Sequence, residues 1–227
     1  DSLYPSGLLK MHFPPPFLYV KGDLSLLKEP MVGITGAINP SLQAIEVTKE
    51  VVSNLITNKV SIVSGLYKGV EGVAHLATLA QKGKAIALLA SPLHLVATPT
   101  HATLQSYIGE YGLLISPFAP NKKHERWYVS QQKELIAYIS HAIVLPEERD
   151  GGIGLRCAYL ALNNHKQVCI FQHTVENRSL LWPKKATRSP YLTILKKGSA
   201  LFSHLKLDKK TPSIGTTEGK SQLSLFD

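Results

Sequence analysis

The sequence predicts an α/β protein built as a doubly wound, mostly parallel sheet with helices on both faces. Between residues 31 and 171, short β-branched runs alternate with longer amphipathic stretches, the pattern of strands buried on both faces and joined by crossover helices. Glycines punctuate the places where strand would hand over to helix. The chain has 227 residues, 44% of them hydrophobic and 18% charged, which is enough apolar material for a packed core and too much for disorder over most of its length.

Taken in order, residues 1–30 form an extended, Pro-rich leading segment. The prolines at 5, 14, 15 and 16 forbid helix, and Phe17-Leu18-Tyr19-Val20-Lys21-Gly22 ends it in an edge-like strand. Strands are expected at Met31–Thr35, Val60–Val63, Ala85–Leu89, Gly112–Ser116, Ala142–Leu145 and Gln167–Phe171. Helices are expected at Ser41–Asn58, Val70–Lys82, His101–Tyr111, Tyr128–Ser140 and Leu155–Asn164, with Ser41 after Pro40 as the N-cap of the first. The pattern then weakens, and Tyr191–Leu205 reads as one more helix broken at Gly198. The domain therefore spans 31–205. Residues 206–221 turn to Lys, Thr, Ser, Gly and Pro, the composition of a flexible linker, and 222–227 are abruptly apolar again.

Charge and cysteines narrow the function classes. The chain carries 25 Lys+Arg against 16 Asp+Glu, a formal net charge of +9, and 21 of those cations against 13 acids precede residue 206. The positive field thus belongs to the folded part and favours a polyanionic partner. Cys157 and Cys169 are too few for a disulfide framework and suit a reduced, cytoplasmic setting. No apolar run approaches the roughly 20 residues needed to cross a bilayer, and no basic region followed by an apolar one marks a secretory signal, so no membrane role is expected.

In an open parallel sheet, ligands bind where strands end and helices begin, because backbone N–H groups and helix dipoles converge there. Three Gly-rich loops fall at such places: Gly33-Ile34-Thr35-Gly36-Ala37, Ser64-Gly65-Leu66-Tyr67-Lys68-Gly69 and Asp150-Gly151-Gly152-Ile153-Gly154. Each either faces a phosphate or merely makes a tight βα turn, and three together favour an anionic ligand. None is a Walker A loop or a complete Gly-x-Gly-x-x-Gly fingerprint, so triphosphate hydrolysis and NAD chemistry are unsupported and no cofactor is expected.

Further cations stand nearby. Lys68 and Arg156 lie in or next to Gly loops. Lys122, Lys123 and Arg126, with Trp127 and Tyr128, form either a strand-binding loop or a solvated one whose Trp127 caps the core. Arg178, Lys184, Lys185 and Arg188 around Trp182 either extend such a track or are ordinary surface. The nine histidines show no metal-ligand spacing, and the cysteines are twelve apart with no Cys-x-x-Cys, so no metal is expected. His75 reads as packing under the second loop. Cys157, near a helix N-terminus, is a candidate for a lowered thiol pKa, but no base is placed beside it, so no catalytic residue is assigned.

The ordered series Tyr4-Pro5, Pro15-Pro16-Phe17-Leu18-Tyr19-Val20-Lys21-Gly22, Val32-Gly33-Ile34-Thr35-Gly36, Val63-Ser64-Gly65-Leu66, Gly69-Val70-Glu71, Ala74-His75, Ile86-Ala87-Leu88-Leu89 and Gly112-Leu113-Leu114-Ile115-Ser116 resembles the DprA/Smf DNA-processing family over roughly residues 4–173. The resemblance implies a Rossmann-like domain that binds single-stranded DNA and hands it to a RecA-type recombinase during transformation, with no enzymatic step. Read from the residues themselves, the amides of the Gly loops and the cations near them place the expected nucleic-acid-binding positions at Gly36, Ser64, Gly65, Lys68, Gly69, Lys122, Lys123, Arg126, Gly151, Gly152, Gly154 and Arg156. The chain departs from the family at Ala37-Ile38, where the family has Ser-Arg, and at Gln132-Lys133-Glu134, where it has Arg-Asn-Arg. The family's N-terminal helical domain and C-terminal winged helix are not expected within this chain, and self-association as a homodimer is left open.

The third loop is also similar to that of LOG-type phosphoribohydrolases, but Ala158 stands where they carry a catalytic Glu, so glycosidic cleavage is not expected. A nucleotide-ligand sensor without hydrolase activity is the alternative reading. Finally, Gln222-Leu223-Ser224-Leu225-Phe226 resembles the bacterial sliding-clamp-binding peptide, in which Gln222 would enter a polar pocket while Leu223, Leu225 and Phe226 fill an apolar groove.

Overall fold

The structure, a computed structural model, describes residues 3–206 with the exception of His124. The expected linker and the peptide 222–227, with Gln222, Leu223, Leu225 and Phe226, lie outside the described residues.

Among the described residues, eight strands form one sheet: β1 (Tyr19–Gly22), β2 (Met31–Ile34), β3 (Ser61–Gly65), β4 (Ala85–Leu88), β5 (Leu113–Ser116), β6 (Ala142–Leu145), β7 (Gln167–Phe171) and β8 (Leu192–Leu195). Their spatial order is β1-β5-β4-β3-β2-β6-β7-β8. All neighbours run parallel except the edge pair β1–β5, where Tyr19 faces Ser116. The chain steps outward from β2 to β5, returns to set β6 beside β2, then steps outward again. The switch point is therefore the seam between β2 and β6, with Gly33 opposite Ile143.

Side chains alternate across this sheet. Val32, Ile34, Ile62 and Val144 point to one face, covered by α1 (Leu42–Thr57) and α2 (Val70–Ala80). Farther along that face α3 (Ala102–Tyr111) packs Leu104 and Ile108 on Ala85, Ala87 and Leu114. Val63, Ile86, Ile143 and Ile170 point to the other face, covered by α4 (Trp127–Ile139) and α5 (Gly154–Asn163). Strands buried on both faces read as continuous apolar runs, which is why the composition announced them. Ser41 caps α1 as expected, its hydroxyl accepting from Ala44 N–H at 3.2 Å.

The leading segment is more than an extended strap. It makes 3₁₀ turns at Ser6–Lys10 and Leu24–Lys28, and Leu8, Met11 and Leu26 join the core beside α4. After β7 come the short helices α6 (Gln172–Glu176) and α7 (Trp182–Ala186). The helix expected over Tyr191–Leu205 is a correction. Residues Leu192–Leu195 are β8, paired in parallel with β7, and helix resumes only as α8 (Leu201–His204). The β-branched pair Thr193-Ile194 suits a strand, and β8 covers an edge of β7 that would otherwise be bare.

Candidate nucleic-acid interface

The carboxyl ends of the parallel strands gather the loops that the sequence singled out. At the switch point, Gly36 lets the loop after β2 lie directly on the loop after β6: a Cβ there would sit 2.6 Å from the Glu147 carbonyl oxygen, and Ala37 N–H donates to that same oxygen at 2.8 Å. Gly69, with φ +83°, ends the loop after β3 and opens α2 against Ala37, whose carbonyl accepts from Val70 N–H at 3.0 Å. That backbone conformation favours glycine over residues with a side chain. The three loops are thus tied to one another before any ligand is considered.

Two of the loops also enclose the chain's own carboxylates. Glu148, 3% exposed, accepts from Arg149 N–H at 2.9 Å and from Gly154 N–H at 3.0 Å. Burial raises its pKa, against the lowering effect of those two bonds. Gly152 and Gly154 are the glycines that make room for it, since a Cβ at Gly154 would fall 2.6 Å from its oxygen. Under the second loop, Glu71 accepts from Thr35 Oγ1 at 2.9 Å, from Tyr67 N–H at 3.3 Å and from the Lys133 ammonium. Gly65 lies against Glu71 and Gln132, and the Ser64 hydroxyl donates to the Ile34 carbonyl at 2.6 Å. These amides and hydroxyls are engaged within the protein, a use that the spacing of glycines does not reveal.

The sequence-named cations divide into two groups. Lys68, Lys122, Lys123 and Arg126 are exposed and stand in no salt bridge among the described residues. Arg156 is paired with Glu134 of α4. Gly151, with φ +72°, is exposed and has open space around it. One further cation, which the sequence did not single out, is Arg149: exposed, with its charge acting on the neighbouring Glu148, it lines a cleft of about 260 Å³. The cleft lies between the loop after β2 (Ala37, Ile38, Asn39) and the loop after β6, with Leu180 across from them. Its only sequence signal is a cation immediately before Asp150-Gly151-Gly152.

The acids of the same edge are occupied. Glu147 accepts from Ser41 N–H at 3.0 Å and from the Ser41 hydroxyl, and Asp150 accepts from Leu181 N–H at 2.9 Å and Trp182 N–H at 2.8 Å. Trp182 itself is buried and donates its Nε1–H to the Glu148 carbonyl, so the basic residues around it have no exposed ring to share.

Cys157 is corrected. It lies inside the core, and burial pushes its thiol up to about 12, as it does for Cys169. His75 is fully buried behind the second loop, as packing requires. Among the described residues no cluster of His, Cys, Asp or Glu is arranged to hold a metal, and no helix is long and apolar enough to cross a membrane.

The family model described as DNA recombination-mediator protein A matches residues 1–188. The chain is 27% identical over 166 residues to the DNA processing protein DprA of Bacillus subtilis, covering 73% of this chain and 56% of that one. It is 32% identical over 149 residues to the DprA of Streptococcus pneumoniae, covering 66% and 52%. The chain spans about half the length of these curated relatives. The solved Streptococcus pneumoniae DprA superposes with a TM-score of 0.82 at 25% identity, covering 91% of this chain and 72% of that one. DNA processing protein A from Helicobacter pylori, which binds single-stranded DNA, superposes at 0.78 with 21% identity, covering 88% and 91%, a likeness of fold.

Proposed function

The chain belongs to the DNA recombination-mediator protein A family, and from that premise we propose that its folded body binds single-stranded DNA along the carboxyl edge of the sheet and catalyses nothing there. The observation that carries this reading is an asymmetry of charge. At that edge Glu71 is paired with Lys133, and Glu147, Glu148 and Asp150 are each bound by the protein's own amides or hydroxyls, whereas Lys68, Lys122, Lys123 and Arg126 stand in no salt bridge among the described residues. A run of uncompensated cations suits phosphates, and counterion release from the strand supplies the affinity.

In this reading the exposed cations and Gly151 touch the strand, with Arg156 reaching it from its pair with Glu134. Gly36, Ser64, Gly65, Gly69, Gly152 and Gly154 hold the edge in shape. Binding without turnover is supported by Ala158, buried on α5 where the phosphoribohydrolases carry a carboxylate, and by a Cys157 thiol kept protonated by burial. Partners beyond DNA extend the proposal: a RecA-type recombinase, a second copy of the chain, and a sliding clamp taken through residues 222–226.

Mobility shifts with oligo-dT at two salt concentrations test the reading. Binding is expected to weaken steeply with salt, and each cation replaced by alanine to reduce the slope of log K against log salt by about 0.7. No shift at low salt overturns it. The cleft beside Arg149 would then favour the nucleotide-sensor alternative, in which a mononucleotide or cyclic nucleotide raises the melting temperature.

A further inference from the structure

We propose that the indole of Trp127 is a stacking shelf for one unpaired base, forming a subsite beyond β5 and separate from the cleft at the switch point. This rests on the reading that the carboxyl edge binds single-stranded DNA, and adds to it a contact to bases rather than phosphates.

Two adjacent aromatics have opposite fates. Tyr128 is 2% exposed, stacked on Phe118 with ring centroids 3.6 Å apart and planes within 8°. Trp127, one residue earlier, keeps 55% of its surface in water. A tryptophan that only closed the core would be covered as Tyr128 is, and leaving so large an apolar ring in solvent is unfavourable unless something else covers it.

The ring is also held in place. Its Nε1–H donates to Glu125 Oε2 at 2.7 Å, and it meets Tyr128 edge-on at 4.5 Å and Phe118 at 6.1 Å. A fixed, half-exposed ring loses little conformational freedom when a base stacks on it.

The surroundings are complementary to a nucleotide chain. Lys122, Lys123 and Arg126 precede the indole in the chain and are exposed, three cations against the one carboxylate of Glu125, which accepts from the indole N–H. Cations for the backbone beside a ring for the base is the pairing that single strands use. Beneath the ring, Ala90 packs with Phe118 and Tyr128 and also lines a small hollow beside Leu66 and Tyr67 of the second Gly loop.

The test measures binding of labelled oligo-dT, and of an abasic oligomer of equal length, to the full chain, Trp127→Ala and Trp127→Phe. Trp127→Ala is expected to weaken oligo-dT by about 5-fold to about 150-fold, the range that one stacked base confers, and to leave the abasic oligomer unchanged. Trp127→Phe is expected to retain most of the affinity. Oligo-dT is expected to quench tryptophan emission of the parent but not of Trp127→Phe, whose remaining Trp182 is buried. If parent and Trp127→Ala bind oligo-dT equally, or Trp127→Ala weakens both oligomers alike, the shelf is overturned while DNA binding stands. If the parent fails to bind oligo-dT at low salt, both proposals fall together.

Discussion

Lys133 on α4 donates to the carboxylate of Glu71 at the start of α2, and the two residues, each 2% exposed, come from helices on opposite faces of the sheet. They meet over the end of β3, where Gly65 offers no side chain to keep them apart. The pair therefore fastens both helical layers to the loop that carries Lys68.

Removing one member strands the other as a buried charge. Lys133→Met is expected to cost about 3–5 kcal/mol of unfolding free energy, measured by urea denaturation. The double variant Glu71→Gln with Lys133→Met is expected to cost less than Lys133→Met alone. A double variant as unstable as the single would show that the pair itself, and not the orphaned carboxylate, holds the layers.

A second expectation concerns acid. Burial drives the His75 imidazole down to about 4, with Glu71 nearby opposing the shift and His101 adding to it. In the unfolded chain the ring titrates near 6.5, so between those values the unfolded state binds more protons than the folded one. The contribution of His75 is whole above about pH 6.5 and is lost as pH falls toward about 4, amounting to about 3 kcal/mol. His141 and His173, also lowered by burial, act in the same direction, whereas Glu148, raised by burial, acts in reverse. Urea midpoints between pH 4 and 7 should fall more gently with acid for His75→Leu than for the parent. Parallel declines would refute the assignment.

The third expectation is a rescue. A methyl group at Gly152 would overlap the Glu148 carboxyl, so Gly152→Ala is expected to destabilise by about 1–3 kcal/mol through overpacking. Adding Glu148→Ala removes the obstacle, and the double variant should be more stable than the sum of the two single effects predicts. Thermal melting of the four proteins supplies the cycle, and strict additivity would mean that the two residues do not compete for space.

For the peptide at 222–226 the expectation comes from sequence alone. Gln222→Ala with Phe226→Ala should abolish binding to a bacterial sliding clamp in a pull-down and leave oligo-dT affinity unchanged. Equal clamp binding by variant and parent would dismiss the peptide.

Periodicity reached most of the architecture because strands such as Val60–Val63 and Ala142–Leu145 are apolar throughout, and because Pro40-Ser41 marks the start of α1. It failed at Leu192–Leu195, four apolar or β-branched residues whose strand identity comes from β7 alongside rather than from any period of their own. The Gly loops were legible as places, since topology sends every βα turn to one edge. That Glu148 and Glu71 fill two of them was not, because each carboxylate is bound by amides that only the tertiary fold brings together. Nor did adjacency distinguish Trp127 from Tyr128: which ring turns inward depends on Phe118, ten positions upstream of Tyr128.

The seam between β2 and β6 bears on how the protein is made. Met31 and His141, bonded at the foot of that seam, stand 110 positions apart, whereas every other parallel pair forms between strands that follow one another in the chain. During synthesis, β2 through β5 emerge with the future middle of the sheet as a naked margin of unpaired amides, open to any extended segment until β6 arrives. A chain ending before residue 142 would therefore carry a half-sheet with that margin open, and is expected to aggregate where the full chain does not.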